Sequence, residues 1–204
     1  MECLILFAKT PTLHQVKTRL ASELTPPVTL GLHEAMLEDQ IRFVRSLESE
    51  ARQGELCIGE TGQGEGDLGT RMHRAFVRAF ADGCAAAAII GSDAPSLPRA
   101  FVEEAFAQLA GGADAAIVPA EDGGYVLVGV SRPVELLFAG VPWGTPSVLA
   151  TTRRIAREAG LQLAETAPWP DVDVAADLPR LAADLNADPS RAPATLAFLR
   201  KLGL

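Results

Sequence analysis

Three short, almost wholly apolar runs constrain this chain most: Cys3–Phe7, Ala85–Ile90 and Ala115–Pro119. Each has the length of a strand, and none shows the polar alternation of a strand with one wet face. Between and around them lie stretches with helical spacing. Leu30, Met36, Leu37, Ile41, Val44 and Leu47 recur at nearly 3.6 residues. Arg71–Ala81 puts Met72, Ala75, Phe76 and Phe80 on one face. A further helix is predicted with Ser96 as its cap and Pro98 in its first turn. Gly111-Gly112 stops it, and Phe101, Val102, Ala105, Phe106 and Leu109 form its apolar face. More helices are expected around Val134–Ala139, Ser147–Ala159, Leu178–Leu185 and Ala194–Leu202, with a weak strand over Leu56–Ile58. Tyr125–Val130 reads as a strand that follows Ala115–Pro119 through a hairpin-like turn, Glu121-Asp122-Gly123-Gly124. Buried strands alternating with amphipathic helices predict an α/β fold: one domain over residues 1–204, with a mainly parallel sheet covered by helices on both faces. Ligands of such sheets sit beyond the carboxyl ends of the strands, where the polar clusters after Phe7 and Ile90 fall.

Composition narrows the partners. The chain has 204 residues and a formal net charge of −8, which disfavours a polyanion such as nucleic acid. The charge is uneven, however: residues 1–22 hold Lys9, Lys17 and Arg19 against Glu2 alone. A small basic island in an acidic chain suits a small anion, although chance clustering at a solvated helix start would look the same. No apolar run is long enough for a membrane span, and the N-terminus reads as a first strand rather than a signal peptide. Cys3, Cys57 and Cys84 form no CxxC and are odd in number, so reduced cysteines in a cytoplasmic protein are expected.

Five segments carry polar chemistry. The loop Ala8–Leu20 places two lysines and Arg19 at a strand end, where a point charge and a planar guanidinium can bind phosphate; the glycines of a P-loop are missing. His14 in that loop reads as a solvated residue. Gly64-Glu65-Gly66-Asp67-Leu68-Gly69 fits GxGxxG, but it does not follow the first strand and carries two acids where a pyrophosphate would lie. It reads as a turn before a helix. In Gly91-Ser92-Asp93-Ala94-Pro95 the carboxylate stands at a strand end, as a divalent-cation ligand or as a turn cap. In Pro119–Tyr125 the turn alone accounts for Gly123 and Gly124; alternatively they admit a substrate close to the backbone while Asp122 faces it. In Asp171-Val172-Asp173, alternation puts both carboxylates on one side if the segment is extended, which calls for a cation or for solvation. Asp177 reads as the cap of the helix starting at Leu178.

In order, Phe7-Ala8-Lys9, Val16-Lys17-Thr18-Arg19-Leu20, Gln63-Gly64 with Asp67-Leu68-Gly69 and Arg71-Met72, Gly91-Ser92-Asp93 with Pro95, Asp122-Gly123-Gly124-Tyr125 with Leu127 and Gly129, Trp143, and Asp171-Val172-Asp173 with Asp177-Leu178 span nearly the whole chain. Together they resemble a family of glycosyltransferase-like proteins with the nucleotide-diphospho-sugar transferase (GT-A) fold. That family was long described as a domain of unknown function and is linked in part to arsenosugar- and selenium-related gene sets. The chain departs from the family pattern at three places. Leu13 and His14 replace the Pro and Gly usual before Val-Lys-Thr-Arg-Leu, Val174 replaces a Thr, and Gly144 replaces a Ser after Trp143.

The resemblance implies a metal-dependent transferase with a nucleotide-diphosphate sugar donor and a small-molecule acceptor. Lys9, Lys17 and Arg19 would bind the diphosphate. Asp93 and Asp173, with Asp171, would hold Mg²⁺ or Mn²⁺, and Asp93 would be needed for turnover. Gly123 and Gly124 would form part of the acceptor face, with Asp122 as the base. More distantly, the layout is similar to nucleotidyltransferases that attack an NTP and release pyrophosphate. A non-catalytic nucleotide-binding module is the third reading.

Overall fold

The structure, a computed structural model, describes the backbone of residues 1–204 and every side chain except that of Ser22. Strands β1 (Glu2–Ala8), β2 (Arg52–Ile58), β3 (Ala86–Gly91), β4 (Ala115–Pro119), β5 (Tyr125–Val130) and β6 (Leu163–Glu165) form one sheet in the order β2-β1-β3-β5-β4-β6. All neighbours pair in parallel except β5, which runs antiparallel to both β3 and β4. The reversal matters for the site. The end of β4 and the start of β5 both lie at the edge where β1, β2, β3 and β6 end.

Because the strands are buried on both sides, alternate residues serve two cores. Ile5, Phe7, Ile89, Ile117 and Val128 pack against α3 (Leu68–Ala81) and α5 (Val148–Glu158) through Met72, Phe76 and Leu149. Leu4, Leu6, Ile90, Val118 and Leu127 pack against α1 (Pro26–Ser46) and α4 (Arg99–Ala110) through Leu37, Val44, Val102 and Phe106. A third cluster joins Leu32 and Met36 of α1 to α6 (Leu178–Ala187) and α7 (Pro193–Lys201). No helix is long and apolar enough to cross a membrane, and the three cysteines are free and buried.

The predicted elements differ from the observed ones where local chemistry overrides the pattern. Ser96 does not cap α4. The residue before a proline is pushed out of the helical region, so Leu97 cannot begin the helix and Pro98 takes the cap position. The Ser96 hydroxyl instead accepts a hydrogen bond from Trp169 Nε1 at 3.3 Å. Within the expected loop Gly59–Gly69, residues Gly59–Gln63 form a short helix, α2, and Asp67 caps α3 by accepting from the Thr70 N–H at 2.7 Å. The Val134–Ala139 helix is a single tight turn, Glu135–Leu137. The edge strand β6 is too short to leave a periodic signal.

Candidate active site

The ends of the strands open into a cleft of about 460 Å³. Its walls bring together Lys9, Lys17, Arg19, Asp93, Asp122, Gly124, Asp171 and Asp173, which lie far apart in the chain. Gly123 is not among them. Its φ is +90°, and a Cβ there would lie 2.1 Å from the Pro146 carbonyl oxygen, so this glycine serves the close approach of two backbones. Of the two glycines expected at an acceptor face, Gly124 lines the cleft and Gly123 does not.

The segment Asp171-Val172-Asp173 is docked on the end of β3. The Val172 N–H donates to the Asp93 carbonyl at 2.9 Å, and Val172 itself is buried in the third cluster. Its neighbours therefore point the other way, into the cleft, as alternation predicts. Asp177 does not cap α6 with its side chain. Its carboxylate accepts from the Asp173 and Val174 N–H groups at 2.8 and 2.9 Å, which holds the segment in that orientation.

Asp122 comes from the β4–β5 turn, where its Oδ1 accepts from the Gly124 N–H at 2.8 Å. One carboxylate oxygen from each of Asp122, Asp171 and Asp173 lies within 4.8 Å of the others. Such a group is an array of hard donors suited to a divalent cation. The electrostatics agree. Burial, then the nearby charges of Asp122 and Asp173, push the Asp171 carboxyl up to about 7. Asp173 is raised as well, first by burial, although Lys17 and Arg19 pull it back.

Asp93 stands outside that trio. Its carboxylate faces the open cleft, and its Oδ1 is 2.5 Å from Lys17 Nζ. Burial by the surrounding walls works to raise its pKa, but the charge and hydrogen bond of Lys17 outweigh this and hold it below the ordinary carboxylate value. The Lys17 side chain is only 5% exposed and also donates to the Val172 carbonyl at 2.6 Å. The loop lysine is thus a buried strut between β3 and the Asp-Val-Asp segment. Arg19 Nη1 donates to Asp173 Oδ2 at 2.7 Å. Lys9 is exposed at the rim, and its carbonyl accepts from His33 Nε2 at 3.2 Å. Burial lowers the His33 pKa, which favours the neutral ring. Among the described residues, His14 and Lys17 are the only non-glycine residues with positive φ, at +63° and +48°.

Several cleft residues carried no role in the sequence reading: Gln63, Arg71, His33, and the Tyr125–Trp143 pair, whose rings meet edge to face with centroids 6.3 Å apart. Gln63-Gly64, Arg71-Met72, Tyr125 and Trp143 were visible as motif positions. His33 left no signal beyond a polar residue on an otherwise apolar helix face.

An α/β sheet with one reversed strand, and a cleft of aspartates and basic side chains at its carboxyl edge, define a protein with the nucleotide-diphospho-sugar transferase fold. Over residues 34–145, more than half of its length, the chain matches a family described as "Uncharacterized protein conserved in bacteria (DUF2064)", and it belongs to that family. It is also similar to the crystal structure of a Desulfovibrio desulfuricans G20 protein provisionally described as a nucleotide-diphospho-sugar transferase. Identity is 30% and the TM-score 0.87, over 98% of this chain and 94% of that one. A more remote likeness, at 11% identity and a TM-score of 0.49 over 92% of this chain and all of the other, is to CMP:2-keto-3-deoxy-manno-octonic acid synthetase complexed with CTP. No curated protein matches the sequence.

Proposed function

We propose that the protein is a metal-dependent transferase that moves a sugar from a nucleotide-diphosphate donor to a small-molecule acceptor. The observation that carries this reading is the meeting of Asp122, Asp171 and Asp173 in a cleft that also holds Lys9, Lys17 and Arg19. Three carboxylates this close repel unless a cation lies among them, and oxygen-only donors fit Mg²⁺ or Mn²⁺. When bound, such a cation supplies positive charge to the departing diphosphate.

The chain's own residues divide the remaining work. Asp171 and Asp173, the less exposed members of the trio, hold the cation. Asp122 is the exposed member and faces the acceptor, whose hydroxyl proton it takes. Lys9 and Arg19 contact the diphosphate from the rim, while Asp93 fixes the Lys17 ammonium beside it, so Asp93 acts through Lys17 rather than as a metal ligand. Gly124 keeps the wall low where the acceptor enters.

The test is to incubate the protein and Mn²⁺ with UDP- and GDP-linked sugars, and separately with NTPs, and to identify the product. Release of nucleoside diphosphate that is lost in Asp173→Ala is the expected result. Pyrophosphate release would replace this reading with nucleotidyl transfer. Tight nucleotide binding with no product of either kind would leave a binding module.

A further inference from the structure

Four cationic side chains line the cleft, and two of them have a carboxylate partner: Lys17 with Asp93, and Arg19 with Asp173. Arg71 and Lys9 have none among the described residues. Arg71 lies in the first turns of α3 and hydrogen-bonds only to neutral oxygens, while the solvent-exposed Asp67 carboxylate at the helix start feels its charge without pairing with it. Its Nη1 donates to Gln63 Oε1, and its Nε to the Asp67 carbonyl at 3.3 Å. Gln63 is 4% exposed, and its amide is fully committed, because Nε2 donates to the carbonyls of Ala8 and Cys57 at 2.9 Å each. A glutamine bound in this way cannot read a ligand. What it does is tie the end of β1, the residue before Lys9, to the Arg71 guanidinium and fix the plane of that group.

We infer that Arg71, held by Gln63 and flanked by Lys9, forms an oxyanion subsite on the β1–β2 side of the cleft, across the strand ends from the aspartate trio. A guanidinium in a cleft that makes no ion pair, held by neutral acceptors along one edge, offers its remaining N–H groups to a phosphate or carboxylate in a planar fork. Arg71 is the binding residue, and Gln63 is a positioning residue. The oxyanion belongs either to a phosphate of the donor or to an acidic group of the acceptor. The inference goes beyond the proposed transfer, and it needs neither the metal nor turnover.

Calorimetry in EDTA with inorganic phosphate and with nucleoside diphosphates tests it. The proteins compared are the full-length chain, Arg71→Gln and Arg71→Lys, each first shown by thermal melting to be folded. Arg71→Gln should weaken phosphate binding about tenfold or more, the loss typical of one charge-assisted contact. Arg71→Lys, which keeps the charge but not the fork, should lie between. If the oxyanion comes from the donor, nucleoside diphosphate affinity falls in parallel. If it comes from the acceptor, nucleoside diphosphate affinity is unchanged and phosphate binds alongside the nucleotide. Phosphate affinity in Arg71→Gln within about twofold of the parent, or no phosphate binding by the parent, would overturn the subsite. Loss of metal-dependent transfer with this binding intact would instead count against the transferase reading alone.

Discussion

The Lys17 ammonium and the Asp93 carboxylate stand 2.5 Å apart, with the lysine almost wholly enclosed and the aspartate open to the cleft. That asymmetry sets what happens when the pair is broken. Asp93→Asn strands a buried charge, whereas Lys17→Met strands a carboxylate that water can reach.

Urea unfolding should therefore show Asp93→Asn to be the more destabilising of the two. A loss of about 2 kcal/mol is expected, less than the ~3–5 of a fully buried pair because one partner faces solvent. The double variant should recover part of the loss. Equal, additive losses from the two single changes would mean that the pair is not coupled.

Metal-free stability should depend on pH through Asp171. Its carboxyl is raised from 3.8 to about 7 in the folded protein, so between those values the folded state holds a proton that the unfolded state has released. Stability from this group is present below pH 3.8 and declines as pH rises to about 7. Asp171→Asn should remove that decline, so that its gain in metal-free stability over the parent is larger at about pH 8 than at about pH 5. Denaturation series at the two pH values check this, and an unchanged pH profile in the variant would rule it out.

His14 sits at a φ of +63°, in the left-handed region that favours Gly. A histidine there is strained by roughly 1–2 kcal/mol, part of which is offset because glycine is freer in the unfolded chain. His14→Gly should stabilise the protein by about 1 kcal/mol, read as a rise in melting temperature. A fall would show that the His14 side chain makes a contact of greater value than the strain.

Gly123→Ala should be severe. The new methyl would meet the Pro146 carbonyl at 2.1 Å with the backbone at a φ of +90°, and the Leu149 N–H depends on the Gly123 carbonyl at 2.8 Å. A cost of about 3 kcal/mol is expected, with the Trp143–Thr145 wall displaced. Unfolding curves and Trp143 fluorescence report the two effects. Gly124→Ala is the milder control.

The strands that carry the site were legible because each is a short apolar run closed by polar residues, and period-two alternation alone set Asp171 and Asp173 on one side. Which carboxylates meet was not legible. That depends on where the β4–β5 hairpin sits in the sheet: its turn was legible, but the antiparallel pairing of β5 with β3, which sets the Asp122 turn beside Asp93 and the chain beyond β6, has no local signal. The Lys17 contact with Val172 joins residues 155 apart in sequence, so the burial of a lysine read as a phosphate contact in a basic loop could not be seen locally. Ser96 and Asp177 misled for a related reason. Each is a good cap by type, and each is drawn away, by Trp169 in one case and by the Asp173 backbone in the other.

Around the cleft, the four cations Lys9, Lys17, Arg19 and Arg71 equal in number the four carboxyl groups Asp93, Asp122, Asp171 and Asp173, although only two pairs touch. Once Asp171 and Asp173 are ionised, such a site is close to electroneutral. On the proposed reading, a divalent cation alone or a diphosphate dianion alone would disturb that balance, and the two entering together would leave it as it was. Linkage then requires each to tighten the other by the same factor. Affinity in this site belongs to the ion pair as a unit, and a titration of either component by itself will understate it.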